Sequence, residues 1–252
     1  MIERKSLRQM WSTGAETLGA WLSVPSVVSA EAAAGCDVDY VCVDLQHGAA
    51  DYSDLVGMVQ AIQLVGGIPI ARAPWNDHGT IGRILDAGCH GVIVPMVNTA
   101  AQAEAVVAAC RYAPNGQRSW GPTLAARNAA DYRSWADQSI AAIPMIETAE
   151  ALSNLDEILA TPGIDAIYVG PADLAISLGL GATGNDGTPI FDDALHRIVE
   201  ACQRHGVVPG IHGSASVAAL RRSQGFRMIT IASDIAELRA GIARSAKQAR
   251  RE

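Results

Sequence analysis

Eight short apolar runs rich in β-branched residues alternate with longer stretches patterned as helices along this 252-residue chain. The runs fall near residues 18–24, 40–46, 68–74, 91–97, 141–147, 165–171, 207–213 and 228–234. Helical patterning fills the intervals, as at Asp54–Leu64, Thr80–Ala87, Ala100–Cys110 and Ala149–Ala160. Strict alternation of strand and helix implies parallel strands joined by crossover helices. Eight such units in about 250 residues predict an α/β fold, a (β/α)8 TIM barrel that takes up residues 1–252 as one domain. An open parallel sheet is the alternative, because a linear pattern does not show closure.

Residues 1–16 predict an extra helix ahead of the first strand. The longest irregular connection runs from Tyr112 to about Trp135, through Pro114-Asn115-Gly116 and Arg118-Ser119-Trp120-Gly121-Pro122 into an alanine-rich piece. Long loops in compact domains are often functional. A Gly-rich stretch from Gly179 to Pro189 reads as a mobile loop above the site.

Charge and cysteine usage exclude several classes of partner. The net charge is −7, so the basic footprint of a nucleic-acid binder is missing. The longest cationic cluster, Lys247 to Arg251, suits the C-terminus of a last helix. Cys36, Cys42, Cys89, Cys110 and Cys202 form no C-x-x-C pair and read as free thiols of a reducing cytosol. The start, Met1-Ile2-Glu3-Arg4-Lys5, lacks a signal-peptide apolar segment, and no run approaches a membrane span. The expectation is a cytoplasmic protein with small-molecule partners and neither membrane nor nucleic acid among them.

Active sites of such barrels form at the C-terminal ends of the strands. Reading those positions gives Trp21 on the first strand, Asp44, Gln46 and His47 on the second, and Arg72 on the third. The fourth ends in Pro95-Met96, with Asp86 in the helix–loop before it. The fifth ends in Glu147, the sixth in Gly170-Pro171-Ala172-Asp173, the seventh in His212 and the eighth in Ser233-Asp234. Glu147 and Asp173 stand on neighbouring strands, so one divalent cation fits between them. Carboxylate and water oxygens suit Mg²⁺ or Mn²⁺ better than Zn²⁺. His47 then serves as general base, and Arg72 holds charge that develops on an enolate oxygen. Backbone N–H groups from Gly170 to Asp173 suit a substrate carboxylate.

Each side chain also has a structural reading. Glu147 can sit in a helix's first turn and Asp173 can be an N-cap. His47, before Gly48, can be a turn residue, and His212 reads better as a rim or packing residue. Asp44 and Asp86 can orient other groups. Arg72 is harder to dismiss, because a charge closing an apolar strand needs a partner or a ligand.

Seven segments in register carry a family likeness. They are Val43-Asp44-Leu45-Gln46-His47-Gly48, Ala71-Arg72-Ala73-Pro74-Trp75-Asn76-Asp77, Ile84-Leu85-Asp86-Ala87-Gly88, Val94-Pro95-Met96-Val97, Tyr112-Ala113-Pro114-Asn115-Gly116-Gln117-Arg118, Ile146-Glu147-Thr148 and Val169-Gly170-Pro171-Ala172-Asp173-Leu174. Together they resemble the HpcH/HpaI family of class II pyruvate aldolases. The resemblance implies Glu147 and Asp173 as ligands of a divalent metal, Mg²⁺ or Mn²⁺ with Co²⁺ also acceptable. It implies His47 as base, Asp86 as the acid that raises its basicity, and Arg72 as the stabiliser of the transition state. Ala172 and Asp173 match substrate contacts. The resemblance further implies a homo-hexamer, a trimer of dimers that exchange the helix after Ile235.

Two positions depart from the family pattern: Gln46 replaces an acid, and Met145 replaces a glutamine that contacts substrate in some relatives. The implied reaction is reversible cleavage of a 4-hydroxy-2-oxoacid into an aldehyde and pyruvate or a related 2-oxoacid such as hydroxypyruvate. The rivals are an acyl-CoA lyase of the citrate lyase β-like type and a non-catalytic barrel that binds metal or 2-oxoacid.

Overall fold

The computed structural model describes residues 6–127 and 131–250. Its eight strands close into a barrel in sequence order, every pairing parallel. The first half of the chain runs α1 (Leu7–Ser12), β1 (Thr17–Leu22), α2 (Val27–Ala34), β2 (Tyr40–Asp44), α3 (Tyr52–Leu64), β3 (Pro69–Arg72), α4 (His78–Asp86), β4 (Gly91–Val94) and α5 (Ala100–Cys110). The second half runs α6 (Tyr132–Ser139), β5 (Ala141–Ile146), α7 (Ala149–Ser153), α8 (Leu155–Leu159), β6 (Ala166–Val169), α9 (Pro171–Ser177), α10 (Pro189–His205), β7 (Val208–His212), α11 (Ala218–Gln224), β8 (Met228–Ser233) and α12 (Asp234–Ala249).

Two buried clusters follow from the two-residue period of a strand. Val41, Val43, Ala71, Val92 and Ile167 point outward and pack under the helices. Tyr40, Cys42, Ile70, Ile93, Ile143, Met145 and Tyr168 alternate with them and fill the barrel. The interior is therefore packed floor, not channel. Gly19 on β1 makes this filling fit, since a Cβ there would overlap the Tyr40 ring. Helix α1 puts Leu7 and Trp11 into the interior cluster and so plugs the N-terminal end. Asp165, just before β6, ties that plug down by pairing with Arg8 at 2.7 Å and Arg111 at 2.9 Å.

The expected barrel and all eight strands are present, with differences at their edges. The predicted extra helix over residues 1–16 spans Leu7–Ser12, and its first five residues lie outside the described ones. The predicted helix Ala149–Ala160 divides at Asn154, whose side chain donates to Asn98 O at 2.8 Å instead of facing helix neighbours. Helix α6 begins at Tyr132, inside the stretch expected to be irregular. The alanine-rich piece includes residues 128–130, which lie outside the described residues. Strand β2 stops at Asp44 rather than residue 46, because the N–H groups of Gln46 and His47 turn to the Asp44 carboxylate.

Candidate active site

Strand register brings the first pair together. Asp44 on β2 stands opposite Arg72 on β3, and both point into the barrel mouth. The guanidinium grips the carboxylate twice, Nε to Oδ1 at 2.9 Å and Nη2 to Oδ2 at 2.6 Å. The Trp21 indole N–H donates to Oδ2 at 3.2 Å, and the Arg72 guanidinium lies 5.0 Å from the Trp21 ring centre. Burial pushes the Asp44 carboxyl up, but Arg72, the Gln46 N–H and Trp21 together hold it below the usual carboxylate range. Asp44 is therefore an anion that fixes Arg72, and Arg72 keeps its Nη1 edge for another oxygen.

Glu147 follows directly on β5 and is only 2% exposed. Its Oε1 accepts the Met96 N–H at 2.7 Å. Met96, just past β4, holds that N–H in place with a left-handed backbone (φ 56°), a costly conformation for a side chain of this size. Burial pushes the Glu147 carboxyl up to about 7, and the nearby Asp173 adds to the shift; the Met96 N–H and Arg72 oppose it. Asp173 stands in the first turn of α9 and, like Ala172, is exposed. Gly170 lets the strands approach here, since a Cβ on it would overlap Glu147 Oε2 and come within 3.0 Å of Met145 Cε. Gly170→Ala is expected to displace the Glu147 carboxylate and weaken Mn²⁺ binding at least tenfold with the fold kept. Isothermal titration beside circular dichroism measures both, and unchanged Mn²⁺ affinity would remove this role.

These two carboxylates fit a hard divalent cation. One is a buried acid held high by burial and by a like charge, which is the situation a cation relieves. All donors are oxygens. Among the described residues no group of three or more His, Cys, Asp or Glu side chains gathers as a metal cage, so water and substrate would complete the shell.

The remaining expected residues divide. Trp21 and Met145 lie in the mouth's buried floor. His47 is exposed on the rim after β2, with its backbone N–H on Asp44 at 3.3 Å. Asp86 is not brought to His47 within one chain. It ends α4, which runs from the C-terminal end of the barrel to the N-terminal end, about 13 Å for nine residues. There Asp86 pairs with the buried Arg118 at 2.6 Å. His212, expected at the rim or in packing, stands edge-on to Trp21 with ring centres 5.0 Å apart. Tyr168 and Thr230 escaped the sequence reading. Their signal was parity, since both are polar groups at inward positions of strands.

Comparison with known proteins identifies the family. The model of the HpcH/HpaI aldolase/citrate lyase family matches residues 17–240. The chain belongs to that family. A hydroxypyruvate/pyruvate aldolase of Rhizorhabdus wittichii is 38% identical over 236 residues, 93% of this chain and 94% of the relative. A 4-hydroxy-2-oxo-heptane-1,7-dioate aldolase of Salmonella arizonae is 34% identical and covers 82% of this chain and 80% of its own. A crystal structure of an HpcH/HpaI aldolase/citrate lyase family protein from Burkholderia cenocepacia superposes with TM-score 0.90 at 30% identity, covering 97% of this chain and 98% of that one. This HpcH/HpaI member is an aldolase, a carbon–carbon lyase.

Proposed function

We propose that this enzyme cleaves 4-hydroxy-2-oxoacids reversibly to an aldehyde and pyruvate or hydroxypyruvate, using a divalent cation held by Glu147 and Asp173. The names of its relatives support the class II pyruvate aldolase reaction, and the observation that carries the site is the buried Glu147 carboxyl raised to about 7 beside Asp173 and Arg72. Mg²⁺ or Mn²⁺, or Co²⁺, would supply Lewis-acid polarisation of the 2-oxo group.

The side chains account for the remaining steps. Backbone N–H groups of Ala172 and Asp173, following Gly170, receive the substrate carboxylate. Trp21 and Met145 form the floor beneath the 2-oxoacid, both nearly fully buried. His47 removes the proton from the C4 hydroxyl, the C3–C4 bond breaks, and C4 leaves as the aldehyde carbonyl. The bond's electron pair passes to the 2-oxoacid as an enolate, whose oxygen faces Arg72. Asp44 holds Arg72 for that role at two contacts. Protonation at C3 then releases the 2-oxoacid. A Schiff-base route is disfavoured, since no lysine stands at the C-terminal end of a strand.

A second copy of the chain fits the same reading. Helix α12 has no buried residue, and Leu238 and Ile242 are 60% and 62% exposed along one apolar face. Exchange of this helix between subunits of a hexamer, a trimer of dimers, would cover them. Asp86 would reach His47 only from a neighbouring subunit, because helix α4 carries it to the other end of its own barrel. Among the described residues no helix is long and apolar enough to cross a membrane. We place the enzyme in the cytoplasm on its scattered thiols.

Proton exchange tests the proposal. Pyruvate in D₂O should lose its methyl proton signal when enzyme and Mn²⁺ or Mg²⁺ are both present, and should keep it with EDTA. Absence of exchange with both 2-oxoacids despite measured metal binding would sink the aldolase reading.

A further inference from the structure

Four polar side chains form a chain across the barrel interior. Tyr40, on β2, is fully buried, and its hydroxyl bonds Thr230 Oγ1 on β8 at 3.1 Å. Thr230, also fully buried, bonds the Tyr168 hydroxyl of β6 at 2.5 Å. The Tyr168 hydroxyl lies 3.5 Å from Nδ1 of His212, the last residue of β7. Register sets this meeting, because His212 pairs with Thr230 across β7 and β8. Three of the four members are sealed in the core, and only His212 is partly open, at the mouth.

Proton counting gives the chain a direction. A buried hydroxyl proton needs an acceptor. The Tyr40 proton goes to Thr230 Oγ1, so the Thr230 proton goes to Tyr168. That order leaves the Tyr168 proton for His212 Nδ1, the acceptor it faces at 3.5 Å. Both tyrosines are held as neutral phenols by burial. His212 is neutral as well: burial first, then the Arg72 charge, push its pKa down to about 4, with Asp44 opposing only partly. A neutral imidazole that accepts at Nδ1 carries its proton on Nε2. Trp21 fixes the ring plane, standing edge-on to His212 and stacked on Tyr168 at 5.7 Å. In that tautomer Nε2 is a donor, on a ring that stands against Trp21, the residue whose indole N–H bonds Asp44.

We propose that His212 is a specificity-determining residue, which Tyr168 fixes as the Nε2–H tautomer so that it donates a hydrogen bond to a hydroxyl on C3 of the 2-oxoacid donor. This rests on the aldolase reading above. The donor binds deepest, because its C3 must face an aldehyde arriving from solvent, so a floor residue meets the donor rather than the aldehyde. A donor whose C3 is a methyl group, as in pyruvate, gains nothing from this N–H, whereas one whose C3 carries a hydroxyl does. The proposal therefore assigns a preference for donors bearing a C3 hydroxyl to a position away from the cation.

Two measurements test it. In the metal-free wild-type enzyme, nitrogen-15 NMR of histidine should show the His212 proton on Nε2 at pH 7. In Tyr168→Phe the unprotonated Nδ1 resonance should move downfield as its hydrogen bond is lost; a wild-type proton on Nδ1 would overturn the proposal. Steady-state assays with one aldehyde should then compare kcat/KM for hydroxypyruvate and for pyruvate. His212→Phe, which keeps a ring against Trp21, should lower the hydroxypyruvate-to-pyruvate ratio about tenfold, and His212→Gln, which keeps an N–H donor, should recover part of it. An unchanged ratio in a folded His212→Phe enzyme overturns the proposal. If His212→Phe does not fold, Tyr168→Phe should lower the ratio in the same direction, and failure to do so is equally decisive. Failure of the wild-type enzyme to process either donor would instead sink the aldolase reading.

Discussion

Glu147→Gln is expected to remove metal-dependent turnover, roughly a thousandfold or more, and to make the metal-free protein more stable at pH 8. The two effects share one cause. The Glu147 carboxyl is 2% exposed and pushed from 4.5 to about 7, chiefly by burial. Its folded pKa lies above its unfolded value, so between pH 4.5 and about 7 the folded protein binds the extra proton. Metal-free stability therefore falls as pH rises through that window, and the penalty is complete above it. A shift of this size corresponds to about 3 kcal/mol. Glutamine carries no charge to bury, so EDTA-treated Glu147→Gln should melt well above EDTA-treated wild type at pH 8. At pH 4.5 the two should nearly coincide. Thermal unfolding at the two pH values decides it, and equal melting temperatures at pH 8 would show that burial of this carboxylate costs nothing. Asp173→Asn should lose metal-dependent turnover to a similar degree without that gain, because Asp173 is exposed.

Arg72→Met should be destabilising and inactive together. The substitution leaves Asp44, 2% exposed, as a buried anion without its guanidinium. Breaking a buried pair at one end costs about 3–5 kcal/mol, whereas replacing both ends is far milder. Adding Asp44→Asn to Arg72→Met should therefore restore most of the urea midpoint while activity stays roughly a hundredfold or more below wild type. A single Arg72→Met mutant as stable as wild type would show that water or another cation already satisfies Asp44.

Strand positions follow from local pattern, whereas contacts between distant residues do not. Strand ends were legible because apolar periodicity stops there, as at Arg72 after Pro69-Ile70-Ala71 and Glu147 after Ile143-Pro144-Met145-Ile146. Helix breaks were less legible. Asn154 divides a continuous helical pattern through a bond to Asn98, a residue 56 positions away. Asp86 was visible as an acid in a family-like segment, but the direction of α4 decides that it points away from His47 of its own chain.

The order of alternating strand and helix was enough to determine the parallel (β/α)8 architecture, and inward parity determined which side chains share the mouth, because both depend on local period alone. Tertiary structure decided what those side chains are. The carboxyls of Asp44 and Glu147 became a depressed anion and a raised acid, since one meets a guanidinium and the other is buried beside a like charge. Tyr40, Thr230, Tyr168 and His212 come from four separate strands spread over 190 residues. Only closure of the barrel turns them into one hydrogen-bonded chain, because hydrogen bonding and burial depend on distance in space and not along the sequence.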